Sequence, residues 1–236
     1  MRVEWMERPA KRGDKMAQPA NRSDSDGRRR AFRVILVTAF VVMVLLPPVM
    51  VSISGSATQA PLFTALRILG LEAFTLIFVN IVTGALSRWF YRLFKPRHFQ
   101  RFHIACGALG FLMALAHGAI VIAKRYSSGY NAIWVWVVGP VTLGLLAITI
   151  FVAMDRKRLP RLWRRIHQIN YLIFTAVFIK AIVIGSDLTS GKTYAVILKV
   201  VFIVYVVVAA LATAARIWNY EVTTKRKRER DSAPVG

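Results

Sequence analysis

Four histidines occur in the chain, at positions 98, 103, 117 and 167, and the last three fall in or beside apolar stretches, where an imidazole is expensive to place. His98 sits in a basic polar segment and reads as a solvated surface residue. His103 and His117 are 14 residues apart. Over that spacing an α-helix returns to within roughly 40° of the same face, about 21 Å further along its axis, so two imidazoles look the same way from opposite ends of one helix. His103 follows Arg101 by two residues and His167 follows Arg165 by two, each at the start of an apolar run. When both runs cross a membrane in the same direction, these two histidines share a depth. Neutral imidazoles at matched depth on parallel helices are a donor pair for the iron of a b-type haem. His117 lies about 21 Å too far along to complete the pair, because axial nitrogens across an iron are only about 4 Å apart, twice a metal–nitrogen bond. For any one of the three alone, the alternative is an interhelical hydrogen bond.

The elements that must position these residues follow from composition. In 236 residues, 56% are hydrophobic and the mean hydropathy is +0.49, beyond the range of a soluble globular domain. A net charge of +22 by itself suggests nucleic-acid binding. The basic residues, however, form short clusters between long uncharged runs, the pattern of a polytopic membrane protein, so no nucleic-acid partner is expected. Six runs are each long enough to cross about 30 Å of hydrocarbon at 1.5 Å per residue. They cover roughly 34–54, 66–87, 102–123, 133–154, 166–185 and 194–215. Because a backbone in lipid has to satisfy its own hydrogen bonds, the expected fold is all-α, a six-helix transmembrane bundle.

Orientation follows from the 33 Lys and Arg residues. Ten precede Val34, five lie between Arg88 and Arg101, six between Asp155 and Arg165, and six follow from Arg216. Only Arg67, Lys124, Arg125, Lys180, Lys192 and Lys199 lie elsewhere. The positive-inside rule then places both termini and the two basic loops in the cytoplasm, where anionic lipid attracts them. Trp89, Tyr91, Trp163, Trp218 and Tyr220 mark the inner interface, and Tyr126, Tyr130, Trp134 and Trp136 the outer one. Residues 1–33 read as a disordered basic tail, 34–216 as the membrane domain and 217–236 as a second basic tail.

Cys106 is the single cysteine, so no Cys-x-x-Cys-His attachment exists and a haem is expected to be held noncovalently. No Gly-rich loop follows a strand pattern, and the 21 residues after Ala215 are too few for a flavin or nicotinamide domain, so FAD or a quinone is expected only through a partner. Glu72, Lys180 and Arg67 lie in apolar runs and permit a rival reading as a transporter path. A further rival is an assembly subunit of a membrane complex.

Three stretches carry a family resemblance. They are Leu66-Arg67-Ile68-Leu69-Gly70-Leu71-Glu72-Ala73-Phe74, the run from His103 through Gly107, Gly110 and Ala116-His117-Gly118, and Trp163-Arg164-Arg165-Ile166-His167-Gln168-Ile169-Asn170-Tyr171. Together they resemble the ferric reductase-like transmembrane domain, found in ferric reductases, in NADPH oxidases and in the haem-binding membrane subunit of a bacterial methionine-sulfoxide reductase. The resemblance implies two stacked b haems, ligated in pairs from the third and fifth spans, in a bacterial plasma membrane. His103, His117 and His167 match three of its four ligand positions. At the fourth, the family's histidine is replaced by Lys180 or Ala181, so one haem is expected and a second depends on Lys180. Arg101, Arg164 and Arg165 are placed to pair with haem propionates or with lipid headgroups. The implied function is electron transfer from a cytoplasmic flavoprotein reductase or quinol to ferric iron, oxygen or an outer redox partner.

Overall fold

A computed structural model describes residues 20–54, 61–124 and 133–232, and among these the chain is helical throughout, with no strand. The helices are α1 (Ala20–Ile53), α2 (Pro61–Ala85), the short α3 (Ser87–Leu93), α4 (Pro96–Lys124), α5 (Gly139–Met154), α6 (Pro160–Ile184), the one-turn α7 (Ser186–Thr189) and α8 (Thr193–Asp231). A π-helical stretch, Ile133–Val138, leads into α5. Six of these helices are long and apolar enough to cross a membrane, with mean hydropathies between 1.5 and 2.8 in their most apolar windows. The expected six-span, all-α architecture is therefore present. The chain divides into two compact units after Thr38, inside α1, and the core and site described below belong to the second.

Proline sets where four of the spans begin. Pro61, Pro96 and Pro160 open α2, α4 and α6, and Pro140 is the second residue of α5. At these positions the missing N–H is one the helix could not have used, and the fixed φ suits the first turn. Two boundaries differ from the sequence reading. Residues 20–33, read as disordered tail, belong to α1, because no proline interrupts the chain between Pro19 and Pro47 and a nucleated helix extends through Arg-rich sequence at little cost. The basic segment after Arg216 likewise continues α8 without a break to Asp231. Residues 1–19 lie outside the described structure, as do Tyr126 and Tyr130. Trp89, Tyr91, Trp136, Trp218 and Tyr220 are exposed, as interfacial aromatics require.

Helix α2 is the centre of the packing, lying chiefly against α4 and also against α8 and α6. Its Phe74 ring stacks on Phe174 of α6 and Phe202 of α8, both at 4.6 Å, and Phe78 stacks on Tyr205 at 4.2 Å. Against α4 the contact depends on glycine. A Cβ at Gly110 would meet Ile77 and Leu76 side-chain atoms at 3.3 Å, and one at Gly107 would meet the Asn80 amide at 2.9 Å. Small residues let the two backbones approach this closely, and van der Waals packing supplies the attraction that hydrophobicity cannot supply in lipid.

Beyond α6, Gly185 closes the helix by donating to the Ala181 carbonyl at 2.9 Å, so tightly that a Cβ there would collide with that carbonyl. The short turn of α7 follows and carries Asp187 back to Arg67 of α2. The Arg67 Nε donates to Asp187 Oδ1 at 2.6 Å, its Nη2 contacts the same oxygen, and the Tyr194 ring lies 5.8 Å from the guanidinium. Both partners are 7% exposed. Removing one charge of a buried pair strands the other, so Arg67→Met should destabilise by about 3–5 kcal/mol, and Arg67→Met with Asp187→Leu should recover most of it. Unfolding of the wild type and the two variants in detergent micelles measures both effects.

Candidate functional site

His103 on α4 and His167 on α6 are brought together, their ring centroids 6.3 Å apart and their planes 62° to each other. With ring atoms about 1.1 Å from the centroid, as bonds near 1.33 Å require, the two rings' nitrogens are at least about 4 Å apart. That is too far for a hydrogen bond between the two imidazoles. That lower limit is also the separation of two axial nitrogens that share one metal through bonds of about 2.0–2.1 Å, reached when each ring turns a nitrogen toward the other. The gap fits an axial pair and excludes a mutual histidine hydrogen bond.

The partners of each ring bear on which nitrogen is free. The Thr83 hydroxyl lies 2.7 Å from the Val79 carbonyl, 3.1 Å from the Asn80 carbonyl and 3.1 Å from His103 Nδ1, so it can give its proton to a carbonyl and accept from the imidazole. In that arrangement Nδ1 of His103 carries the proton and Nε2 carries a lone pair, the tautomer a metal ligand needs. His117 is held in the same way, its Nδ1–H donating to the Leu66 carbonyl at 3.0 Å. His167 Nδ1 lies 3.3 Å from the Asn170 amide nitrogen. The Trp163 ring stacks over His167 at 5.7 Å and 20°. The Trp163 indole N–H is buried and has no partner among the described residues, an orphan donor beside the histidine pair.

Glycines cradle two of the imidazoles. His117 lies over Gly70, where a Cβ would come within 2.8 Å of the ring, and His103 lies over Gly84, where it would come within 3.3 Å. With Asn80 over Gly107 and Ile77 against Gly110, every such pair adds to the same total in residue number, as one antiparallel register demands. The 14-residue spacing of Gly70 and Gly84 equals that of the two histidines. That match was the signal in the sequence for this cradle, and it becomes visible only once α2 and α4 are paired.

The other sequence-derived candidates divide between the two levels. Arg101 and Arg165 are exposed near the His103–His167 level, and of Arg164 only the backbone, within α6, is described. Arg216 of α8, absent from the sequence-derived set, lies within electrostatic reach of His167, and its Nη1 is 3.4 Å from the Tyr171 hydroxyl. His117 occupies the opposite end of the α2–α4 interface, within electrostatic reach of Lys180 and Asp187. Lys180 is half-buried, whereas Ala181 packs against the core. Arg67 is consumed by its ion pair. Glu72 is 5% exposed, with neither carboxyl oxygen bonded among the described residues. Those residues hold no cluster of three or more His, Cys, Asp or Glu side chains. A two-imidazole donor set suits a porphyrin, which brings four nitrogens of its own.

Gly70→Ala should force the His117 ring aside and cost about 1–3 kcal/mol through overpacking, and in a His117→Ala background the cost should largely vanish. A double-mutant cycle on unfolding free energies in micelles measures that coupling; an undiminished cost in the second background would rule out the cradle.

Compared with family models, curated proteins and solved structures, the chain matches none, so the geometry of its own residues carries the functional argument.

Proposed function

We propose that the chain is a b-type haem electron carrier of the membrane, of the ferric reductase-like kind. The observation that carries this reading is the 6.3 Å separation of the His103 and His167 rings on two spans, too wide for a hydrogen bond and matched to axial ligation. A b-type haem held there supplies reversible one-electron chemistry. His103 and His167 would hold it from opposite sides, and Thr83 would fix the His103 ring in its ligating tautomer. Trp163 offers its unused indole N–H, and Arg216, Arg101 and Arg165 offer positive charge, toward the propionates at the rim.

At the far level His117, with Nε2 free, is one ligand for a second haem, and Lys180 is the group best placed to stand opposite it or to neutralise a propionate there. Electrons enter from a cytoplasmic flavoprotein or quinol and leave to ferric iron, oxygen or an outer redox protein. The concentration of 27 of the 33 Lys and Arg residues in the two tails and two basic loops supports cytoplasmic termini and loops. The rival transporter reading loses Arg67 to its buried ion pair with Asp187.

The purified protein should show a Soret band and sharp α and β bands on reduction. His103→Ala and His167→Ala should each abolish the low-spin six-coordinate signal of the inner haem, and His117→Ala should leave it in place. Retention of that signal in either of the first two variants refutes the pairing. Lys180→His should raise haem per protein or convert an outer haem to low spin. Reporter fusions at either terminus should read out on the cytoplasmic side, and an external location would overturn the orientation.

A further inference from the structure

Of the three intramembrane histidines, His117 is fixed in one tautomer by its partner. The Leu66 carbonyl at His117 can only accept, and the Thr83 hydroxyl at His103 has two carbonyls within reach to take its own proton. The partner of His167 is an amide, which can donate or accept. Asn170 lies one turn along α6 from His167, its Nδ2 3.3 Å from His167 Nδ1. Its Oδ1 lies 2.8 Å from the hydroxyl of Thr149 on α5, and that hydroxyl also lies 2.8 Å from the Leu146 carbonyl. Thr149 is 1% exposed, and His167 and Asn170 are partly buried.

The heavy atoms admit two proton arrangements, because oxygen and nitrogen of an amide exchange places on a half-turn about its terminal bond. In one, with the amide oriented as in the structure, Thr149 donates to Asn170 Oδ1 and the amide N–H donates into His167 Nδ1. The imidazole proton then sits on Nε2 and closes that nitrogen to a metal. In the other, Thr149 donates to the Leu146 carbonyl, the amide N–H donates to Thr149 Oγ1, and His167 Nδ1–H donates to Asn170 Oδ1. This arrangement makes three hydrogen bonds where the first makes two, and it leaves a lone pair on His167 Nε2.

We infer that Asn170 is a positioning residue that selects the ligating tautomer of His167, and that Thr149 holds its amide in the orientation that does so. The inference rests on the haem reading of His167 and assigns to α5, which bears none of the candidate ligands, a role in preparing one of them. Second-shell partners of this kind orient the ring and set the basicity of the ligand nitrogen.

The test uses the full-length protein in detergent or nanodiscs, with nitrogen-15-labelled histidine to read tautomers in the haem-free state, titration with haem b, and redox potentiometry of the loaded protein. In the wild type the His167 proton should reside on Nδ1. Thr149→Val removes the acceptor that holds the amide, so the proton should shift to Nε2 and haem affinity should fall roughly 10–100-fold. Asn170→Leu should lose affinity by about the same factor. Thr149→Ser keeps the hydroxyl and should behave as wild type, which separates loss of the hydrogen bond from loss of packing. Asn170→Asp offers only acceptors, so it should keep the Nδ1–H tautomer, retain haem and lower its midpoint potential. Wild-type tautomer and affinity in both folded Thr149→Val and Asn170→Leu proteins, with an unmoved potential in Asn170→Asp, would overturn the inference while leaving the haem reading intact. A wild-type protein that binds no haem would overturn the parent reading and this inference with it.

Discussion

The close approach of α2 and α4 is the constraint on which the rest depends. Where lipid surrounds a helix, hydrophobicity does not drive helices together, so contact has to come from shape and from polar groups that find partners. Gly107 and Gly110 on α4 accept the side chains of Asn80 and Ile77, and Gly70 and Gly84 on α2 accept the rings of His117 and His103. One antiparallel register meets all four requirements at once. A slip by one residue would put Cβ atoms against the imidazoles and leave Asn80 without its recess. The interface thus holds the two histidines of α4 at fixed depth with their Nδ1 atoms turned into α2, toward Thr83 and the Leu66 carbonyl.

Much of this was legible in the sequence, and the rest was hidden for physical reasons. Apolar runs longer than a bilayer have only one backbone solution, so the six spans could be read directly. The 14-residue spacing of His103 and His117 reported a shared face because helical period is fixed. What sequence could not place was anything that depends on which helices touch. Arg67 and Asp187 are 120 residues apart and meet only because Gly185 ends α6 abruptly. Trp163 read as an interfacial anchor, and its ring instead lies on His167. Thr149, Asn170 and Arg216 looked like ordinary span residues until α5, α6 and α8 were set side by side. The ends of α1 and α8 were underestimated because charge was read as a stop signal, whereas an Arg-rich segment with no proline continues a helix readily.

The polar groups within the spans divide by how they are satisfied. Threonines 75, 83, 142 and 213 return their hydroxyl protons to carbonyls one turn earlier, which neutralises them locally. Arg67 and Asp187 neutralise each other across helices. The histidines spend one nitrogen on the protein and keep the other. Glu72 does none of these among the described residues, although it is 5% exposed.

The central place of α2 also bears on how the chain is made. Its most apolar window has a mean hydropathy of 1.9 against 2.8 for α1 and α8, and it carries an arginine, a glutamate and an asparagine that face protein, not lipid. As the ribosome delivers α2, none of its eventual neighbours α4, α6 and α8 yet exists. The Phe202 and Tyr205 rings that close over Phe74 and Phe78 belong to α8, more than a hundred residues later in the chain. Insertion and folding are therefore separate events for this helix. It has to enter or wait at the translocation machinery with its polar residues unpaired, and its core is completed only after synthesis has passed Tyr205.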